Sequence, residues 1–404
     1  MVLRLASALV IGAAVNIYIA VAPSILGALV DHQGLPIDVA GRLISYNFWG
    51  ATVSTILAIT FIHRPGWNLR LTMLACLSIV IVTSGAAVWF AGNVGALAII
   101  RFVNGLGSGL GYTIAALAIV GTPRMEVSYA ILYGSPFVIG GAGLALLPYV
   151  YQTSGIEGAF YAMAAINVVA CAFLPFFPTR IDHADGGQLG VDQPGALEGK
   201  PSIRLDRGRT ILSGLVLASL FLHYLFNSGI WTYFERLGVS VGMSPERVGA
   251  LLGPGMAAAV FGMLAASVIG NRLGYLRPVY IGTVAIVFAT LALLGSSSEL
   301  VFGVATGVFN ASIPFVTPYF MAILATLIPS GRGVTAGNIV IVAAFALGPY
   351  LLSFNLANDD FRPSIILTAA GLAAALGVFV YFARKLRNAP AAYDDLKQHC
   401  GIPV

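Results

Sequence analysis

Charged residues are scarce in this chain. Only 9% of its 404 residues are Asp, Glu, Lys or Arg, against about 25% in a soluble globular protein. So few charges could not cover the surface of a soluble protein of this length, which excludes a water-soluble fold. Cysteine is scarce as well. Cys76 and Cys171 fall within apolar runs and Cys400 lies near the end, which makes no disulfide framework. The sequence has no zinc-ligand spacing, no Walker loop and no Ser-His-Asp order in an aqueous segment. It therefore reads as no enzyme, with no metal, no cofactor and no ATP drive. The net charge of +5 comes from basic residues scattered through polar breaks, with no patch or stripe, so nucleic acid is not expected as a partner.

What is abundant is apolar. Hydrophobic residues make up 58% of the chain and glycine contributes 47 positions. Glycine is commoner in transmembrane helices than in soluble ones. Twelve runs reach the roughly 20 residues that a span needs: 5–30, 39–61, 69–91, 94–120, 126–151 and 157–177, then 209–235, 247–270, 275–295, 299–328, 333–355 and 363–383. In lipid each run must be a helix, because every backbone donor and acceptor has to be paired within its own segment. The first run could be mistaken for a signal peptide. It continues to Val30 and is read as a retained helix.

The polar breaks between the runs repeat. Gly34 and Gly242, Gly41 and Gly249, Arg64 and Arg272, Gly66 and Gly274, and Arg124 and Arg332 are each 208 positions apart. Duplicated sets of helices are how many membrane transporters are built. The expected fold is an all-α integral membrane protein with twelve transmembrane helices in two pseudo-symmetric six-helix bundles. The bundles would cover 1–177 and 209–385, with a linker at 178–208 and a tail at 386–404. The linker holds His183 between Asp182 and Asp185, which reads as a solvated connector rather than a metal site. With the N-terminus in the cytoplasm, 16 Lys and Arg fall inside and 4 outside. The positive-inside rule then puts both termini in the cytoplasm, and the expected setting is a bacterial inner membrane.

Two loops carry a family resemblance. His63-Arg64-Pro65-Gly66-Trp67-Asn68-Leu69-Arg70 and Asn271-Arg272-Leu273-Gly274-Tyr275-Leu276-Arg277 resemble the Asp-Arg-x-Gly-Arg loop of the major facilitator superfamily, with His63 and Asn271 in place of the acid. The resemblance implies a gate latch at Arg64, Gly66, Arg272 and Gly274. Arg101 through Gly111 is similar to that family's Arg-x-x-x-Gly motif. Gly134-Ser135-Pro136 through Gly141 is similar, with altered spacing, to a Gly-Pro-x-x-Gly-Gly motif of its exporters.

Arg101 is the one charge deep within a span, where a charge is costly and normally faces a partner or a wet cavity. Asn104 and Ser108 continue its face at helical spacing. The seventh run carries His223, Asn227, Trp231 and Glu235 four residues apart, near one helix face. His223 is a candidate proton carrier because its unperturbed pKa is about 6.5. Glu235 is a second proton-coupling candidate, or a partner for Arg236, Arg247 or Arg42. By the resemblance, the first, fourth, seventh and tenth runs line a central cavity. Asn16, Tyr18, Arg101, Asn104, Asn227, Trp231 and Asn310 would then bind substrate. No Asp or Glu lies near the centre of any run, which favours anionic or zwitterionic cargo. The expected activity is proton-coupled symport of a small organic solute by a monomer in contact with membrane lipid. The alternatives are a proton-linked exporter of drugs or metabolites and a receptor that kept the fold.

Overall fold

Long apolar runs with few internal charges fold here as helices packed through small residues. The structure is a computed structural model that describes residues 2–61, 67–119, 125–180, 207–294, 298–328, 332–356 and 360–387. All of its regular elements are helical.

The first run is divided into α1 (Val2–Val15), α2 (Ile17–Ala20) and α3 (Ala22–Gln33). The joints are Asn16 (φ −97°, ψ 1°) and Val21 (φ −102°, ψ 15°). Both lie in the sparsely populated bridge region of backbone space. The sequence reading gave one unbroken helix; Pro23, in the first turn of α3, marks the second joint, and the first has no Gly or Pro at it. Gly34 ends α3 in the left-handed conformation at φ 63°, where a residue without Cβ costs least. Then come α4 (Ile37–Phe61), α5 (Leu69–Trp89) and α6 (Val94–Ala118). Asn68 and Asn93 cap α5 and α6 by accepting from the amides of Leu71 and Ala96. The fifth and sixth runs form α7 (Met125–Cys171), two helices joined at Gly155 with φ 58° and ψ −167°. That backbone region is essentially open only to glycine.

The second half contains α8 (Arg207–Thr232), α9 (Phe234–Ser240), α10 (Pro245–Ala257) and α11 (Ala259–Ile269). It continues with α12 (Leu276–Ala292), α13 (Glu299–Leu327), α14 (Arg332–Ser353) and α15 (Arg362–Arg387). The seventh run breaks at Tyr233 and the eighth at Ala258. Gly242, the counterpart of Gly34, also has positive φ, at 95°. This repeated glycine pair is therefore a repeated turn, whereas Gly41 and Gly249 lie within α4 and α10.

Helix packing follows the same offset. α4 packs on α14 and α10 packs on α7, and a shift of 208 positions exchanges one contact for the other. Within the first half, α4 and α6 approach so closely that a Cβ on Gly50 would fall on the Phe102 carbonyl oxygen. A Cβ on Gly105 would likewise fall on that of Asn47. The glycine series of α6 is thus a packing surface for a neighbouring backbone. Eight helices are long and apolar enough to cross a membrane by length and composition among the described residues. The shorter apolar helices Leu3–Val15 and Leu276–Ala292 fall below that length. Large apolar side chains such as Trp89 (84% exposed), Leu300 (76%) and Phe261 (72%) face outward. An exterior of that kind suits lipid and would be a liability in water.

Gly105→Val places branched carbons against the α4 backbone. Overpacking of this kind costs about 1–3 kcal/mol. The expected outcome is a lowered melting temperature in detergent, whereas the same change at Gly214, where an added Cβ meets nothing within 4 Å, leaves packing intact.

Candidate functional site

Arg101 lies on α6 and is buried, 3% exposed. Its guanidinium stands over the Tyr18 ring of α2, 4.8 Å from the centroid, and over the Phe160 ring of α7, 4.5 Å from the centroid. Cation–π contacts of this kind are worth more once desolvated. They give the cation two aromatic neighbours, one from each of two helices. Both Nη1 and Nη2 lack a hydrogen-bond partner, as does the Tyr18 hydroxyl. None of the ion pairs among the described residues involves Arg101.

Asn104, one turn further on, is committed elsewhere. Its Oδ1 accepts from Asn47 Nδ2 at 2.9 Å, and its Nδ2 donates to Thr83 Oγ1 at 2.8 Å. Asn47 also donates to the Arg101 carbonyl at 3.1 Å. Asn104 therefore ties α4, α5 and α6 together. Asn16 is half-buried at the α1–α2 joint. Near that joint the Ala14 carbonyl accepts from Asn167 Nδ2 at 3.3 Å.

His223 on α8 is fully buried, and both ring nitrogens lack partners. Its ring sits 6.1 Å from those of Tyr224 and of Phe320 on α13. Asn227, a turn further, has an unpartnered Nδ2. Trp231 stacks edge-on against Phe234 at 5.4 Å, and Phe234 meets Phe309 of α13 at 4.7 Å. Asn310 donates to the Thr306 carbonyl at 2.9 Å within its own helix. Tyr18, Phe160, Trp231, Phe234 and Phe309 belong to one apolar cluster that draws on both halves of the chain. Arg101, Tyr18, His223 and Asn227 thus share a property: each is buried with at least one polar atom unsatisfied. Buried polar groups normally find partners, so such atoms mark places where a ligand, an ion or water belongs.

Glu235 is held differently. Its Oε2 accepts from Arg236 Nε at 2.6 Å and its Oε1 from Arg236 Nη2 at 2.7 Å. Arg236 reaches on to Asp31 of α3, with Nη1 to Oδ1 at 2.6 Å and Nη2 to Oδ2 at 2.7 Å. Paired, fork-like contacts are the strong form of such bonds. The sequence offered Arg236 as one partner for Glu235 and missed Asp31. The 208 offset makes α9 the counterpart of α3, and the structure shows that these two counterparts pack on each other.

Of the gating residues, Arg64 and Gly66 lie outside the described residues. In the second loop Gly274 has φ 67° and Arg272 is exposed. The turn therefore needs its glycine. The sequence reading missed three residues that bear on the site: Phe160 beside the guanidinium, Asn47 and Asn167. Phe160 is an ordinary residue of an apolar run, but Asn47 and Asn167 carried the same signal as Asn104, a polar residue within such a run.

The family model described as Major Facilitator Superfamily matches residues 5–349. No curated protein matches the chain in sequence. Among solved structures, the nucleoside transporter NupG is similar with a TM-score of 0.73 at 11% identity, over 95% of this chain and 99% of that one. A D-xylose–proton symporter is similar with a TM-score of 0.71 at 13% identity, over 93% of this chain and 97% of that one. At such identities the likeness is one of fold. The family match covers most of the sequence and the helices explain its apolar runs, so this chain is a multi-pass integral membrane protein of the major facilitator superfamily, with the fold of a transporter and not of an enzyme.

Proposed function

We propose that the chain is a secondary transporter of twelve helices in two six-helix halves, which takes up a small organic anion or zwitterion together with protons by alternating access. The halves are 1–177 and 209–385, joined by the 178–208 linker and followed by the 386–404 tail. Both termini are cytoplasmic in a bacterial inner membrane, and the unit is a monomer in lipid. The single observation that carries the cargo class is Arg101, whose two terminal nitrogens have no partner while two aromatic rings stand against the cation. A buried cation left in this state is stabilised by an incoming carboxylate, which can take both nitrogens in the guanidinium plane.

Tyr18 adds a hydroxyl beside the same edge, and Asn227, Trp231, Asn310 and Asn16 orient the rest of the cargo. Asn104 supports the site through its bonds to Asn47 and Thr83. His223, with both nitrogens open, carries the proton. The exchange of the α4–α14 contact for the α10–α7 contact under the 208 offset supports rocking of two like halves around the midplane. Arg64, Gly66, Arg272 and Gly274 act as latches at the cytoplasmic end. The similar D-xylose–proton symporter is consistent with proton coupling.

One observation favours export instead. Gly141 on α7 faces the Gly253 carbonyl of α10, and Gly140 packs against Met256, so the exporter-like glycine segment lies on the seam between the halves. A growth assay with toxic amphipathic compounds separates the readings, because an exporter protects its host and an importer does not.

Two outcomes test the principal reading. In proteoliposomes with an imposed pH gradient, uptake of a set of small organic acids is expected to follow the gradient. It should fall at least about tenfold in Arg101→Ala, the scale for removing one partner of a buried charge pair. Uptake indifferent to the gradient, or unchanged by the substitution, refutes the proposal. Arg101→Met should abolish uptake while leaving the melting temperature unchanged or raised, since an apolar side chain removes an uncompensated buried charge. A lowered melting temperature would assign Arg101 to packing.

A further inference from the structure

We infer that one edge of the second half, where α12 begins and α15 ends, is a binding site for an anionic phospholipid, held by Arg277, Arg384, Lys385 and Arg387. Its leaflet follows from the proposed cytoplasmic termini. Cargo and coupling do not enter.

The fold gathers these cations from two polar breaks, since Arg277 and Arg384 are 107 positions apart. α12 and α15 pack on each other, and the Tyr280 ring of α12 meets the Phe379 ring of α15 edge-on with centroids 5.5 Å apart. Arg277 lies one turn before Tyr280, and the charges of Arg384 and Arg387 reach the Tyr280 side chain. Lys385 Nζ stands 5.7 Å from the centroid of the Tyr381 ring, which is 51% exposed. Tyrosines gather at the level of lipid headgroups.

None of the ion pairs among the described residues involves any of the four cations. Arg277, Arg384 and Arg387 are exposed. The carboxylates that do form ion pairs, Asp31, Asp38, Glu235 and Glu299, belong to the opposite end of the bundle. Each Lys or Arg near a membrane surface attracts anionic lipid, so several at one edge reinforce one another.

The surface beside the cations is apolar. α12 exposes Ile281 and Val284, and α15 exposes Ala373, Ala374 and Gly377. A Cβ on Gly377 would meet nothing within 4 Å. Acyl chains can lie there while the phosphate sits among the cations, whereas a soluble anion would use the charges alone. A second copy of the chain, related by a two-fold axis through this edge, would bring like charges together.

The site belongs to one half only. Under the 208 offset its four positions become Leu69, Phe176, Phe177 and Thr179. Of the described arginines there, Arg180 is exposed and Arg70 donates Nε to the Phe177 carbonyl at 2.7 Å. The repeat therefore supplies an internal control.

The experiment is native mass spectrometry of the full-length protein with phosphatidylglycerol or phosphatidylethanolamine of matched acyl chains, paired with melting temperature in the same lipids. Phosphatidylglycerol is expected to be retained in preference and to raise the melting temperature by mass action. Arg277→Gln, Arg384→Gln and Arg387→Gln should each weaken its retention about fivefold, and the triple variant should lose the preference. Without added lipid these exposed changes should leave the melting temperature as it was. Arg180→Gln should leave retention unchanged. Equal retention of the two lipids overturns the inference, as does a loss as large in Arg180→Gln. Equal stabilisation by soluble glycerol phosphate assigns the cluster to free anions and also overturns it. The tail acids Asp394 and Asp395 lie outside the described residues. A preference seen only after Asp394→Asn and Asp395→Asn gives the cluster to the tail instead. Lipid retention is read without substrate, so its failure in a protein that takes up organic acids removes this site and leaves the transport reading, and retention without uptake does the reverse.

Discussion

An arginine inside an apolar bundle has to be matched, and the two buried arginines among the described residues are matched in opposite ways. Arg236 has four short contacts to two carboxylates. Arg101 has two aromatic faces and open nitrogens. The cost of leaving water makes each arrangement informative. The first is complete and joins the halves of the chain. The second is incomplete and so points to a further component. The remaining architecture, with its glycine-lined seams and caps, keeps these two cations where they are.

The apolar cluster that holds Tyr18 and Phe160 against the cation also contains Trp231 and Phe234 of the second half and Phe309 of α13. Hydroxyls on α4 bind carbonyls on α14 across the seam: Ser45 to Ala346, and Thr52 to Val342 at 2.9 Å. Such bonds have modest strength in membranes, about 0.6 kcal/mol on average. The charge-assisted, bidentate Asp31–Arg236 contact is the stronger tie between the two halves of the chain.

The fold class could be read from the sequence because it depends on long-wavelength properties: run length, charge scarcity and a repeat offset. Gly34 and Gly242 show why, since one turn geometry needs the same residue twice. The candidate site was legible in part. Arg101 and His223 were conspicuous as polar residues in apolar runs, and both are buried with open nitrogens. Asn104 was conspicuous for the same reason and is committed to Asn47 and Thr83, because composition along one helix does not say which neighbour a face meets. Asp31 looked like an ordinary loop-end acid, since its significance comes from a residue in the other half. Pro23 was a local signal for the break at Val21. The break at Asn16 has none, and beside it the Ala14 carbonyl accepts from Asn167, a residue outside the run.

Those two breaks leave α2 as a helix of four residues that carries Tyr18 alone over the guanidinium. The ring belongs to neither flanking helix, and with Phe160 of α7 it makes the two aromatic contacts of the cation. A short segment set off by two joints can shift without disturbing the longer helices on either side, which makes the Tyr18 contact the more adjustable of the two.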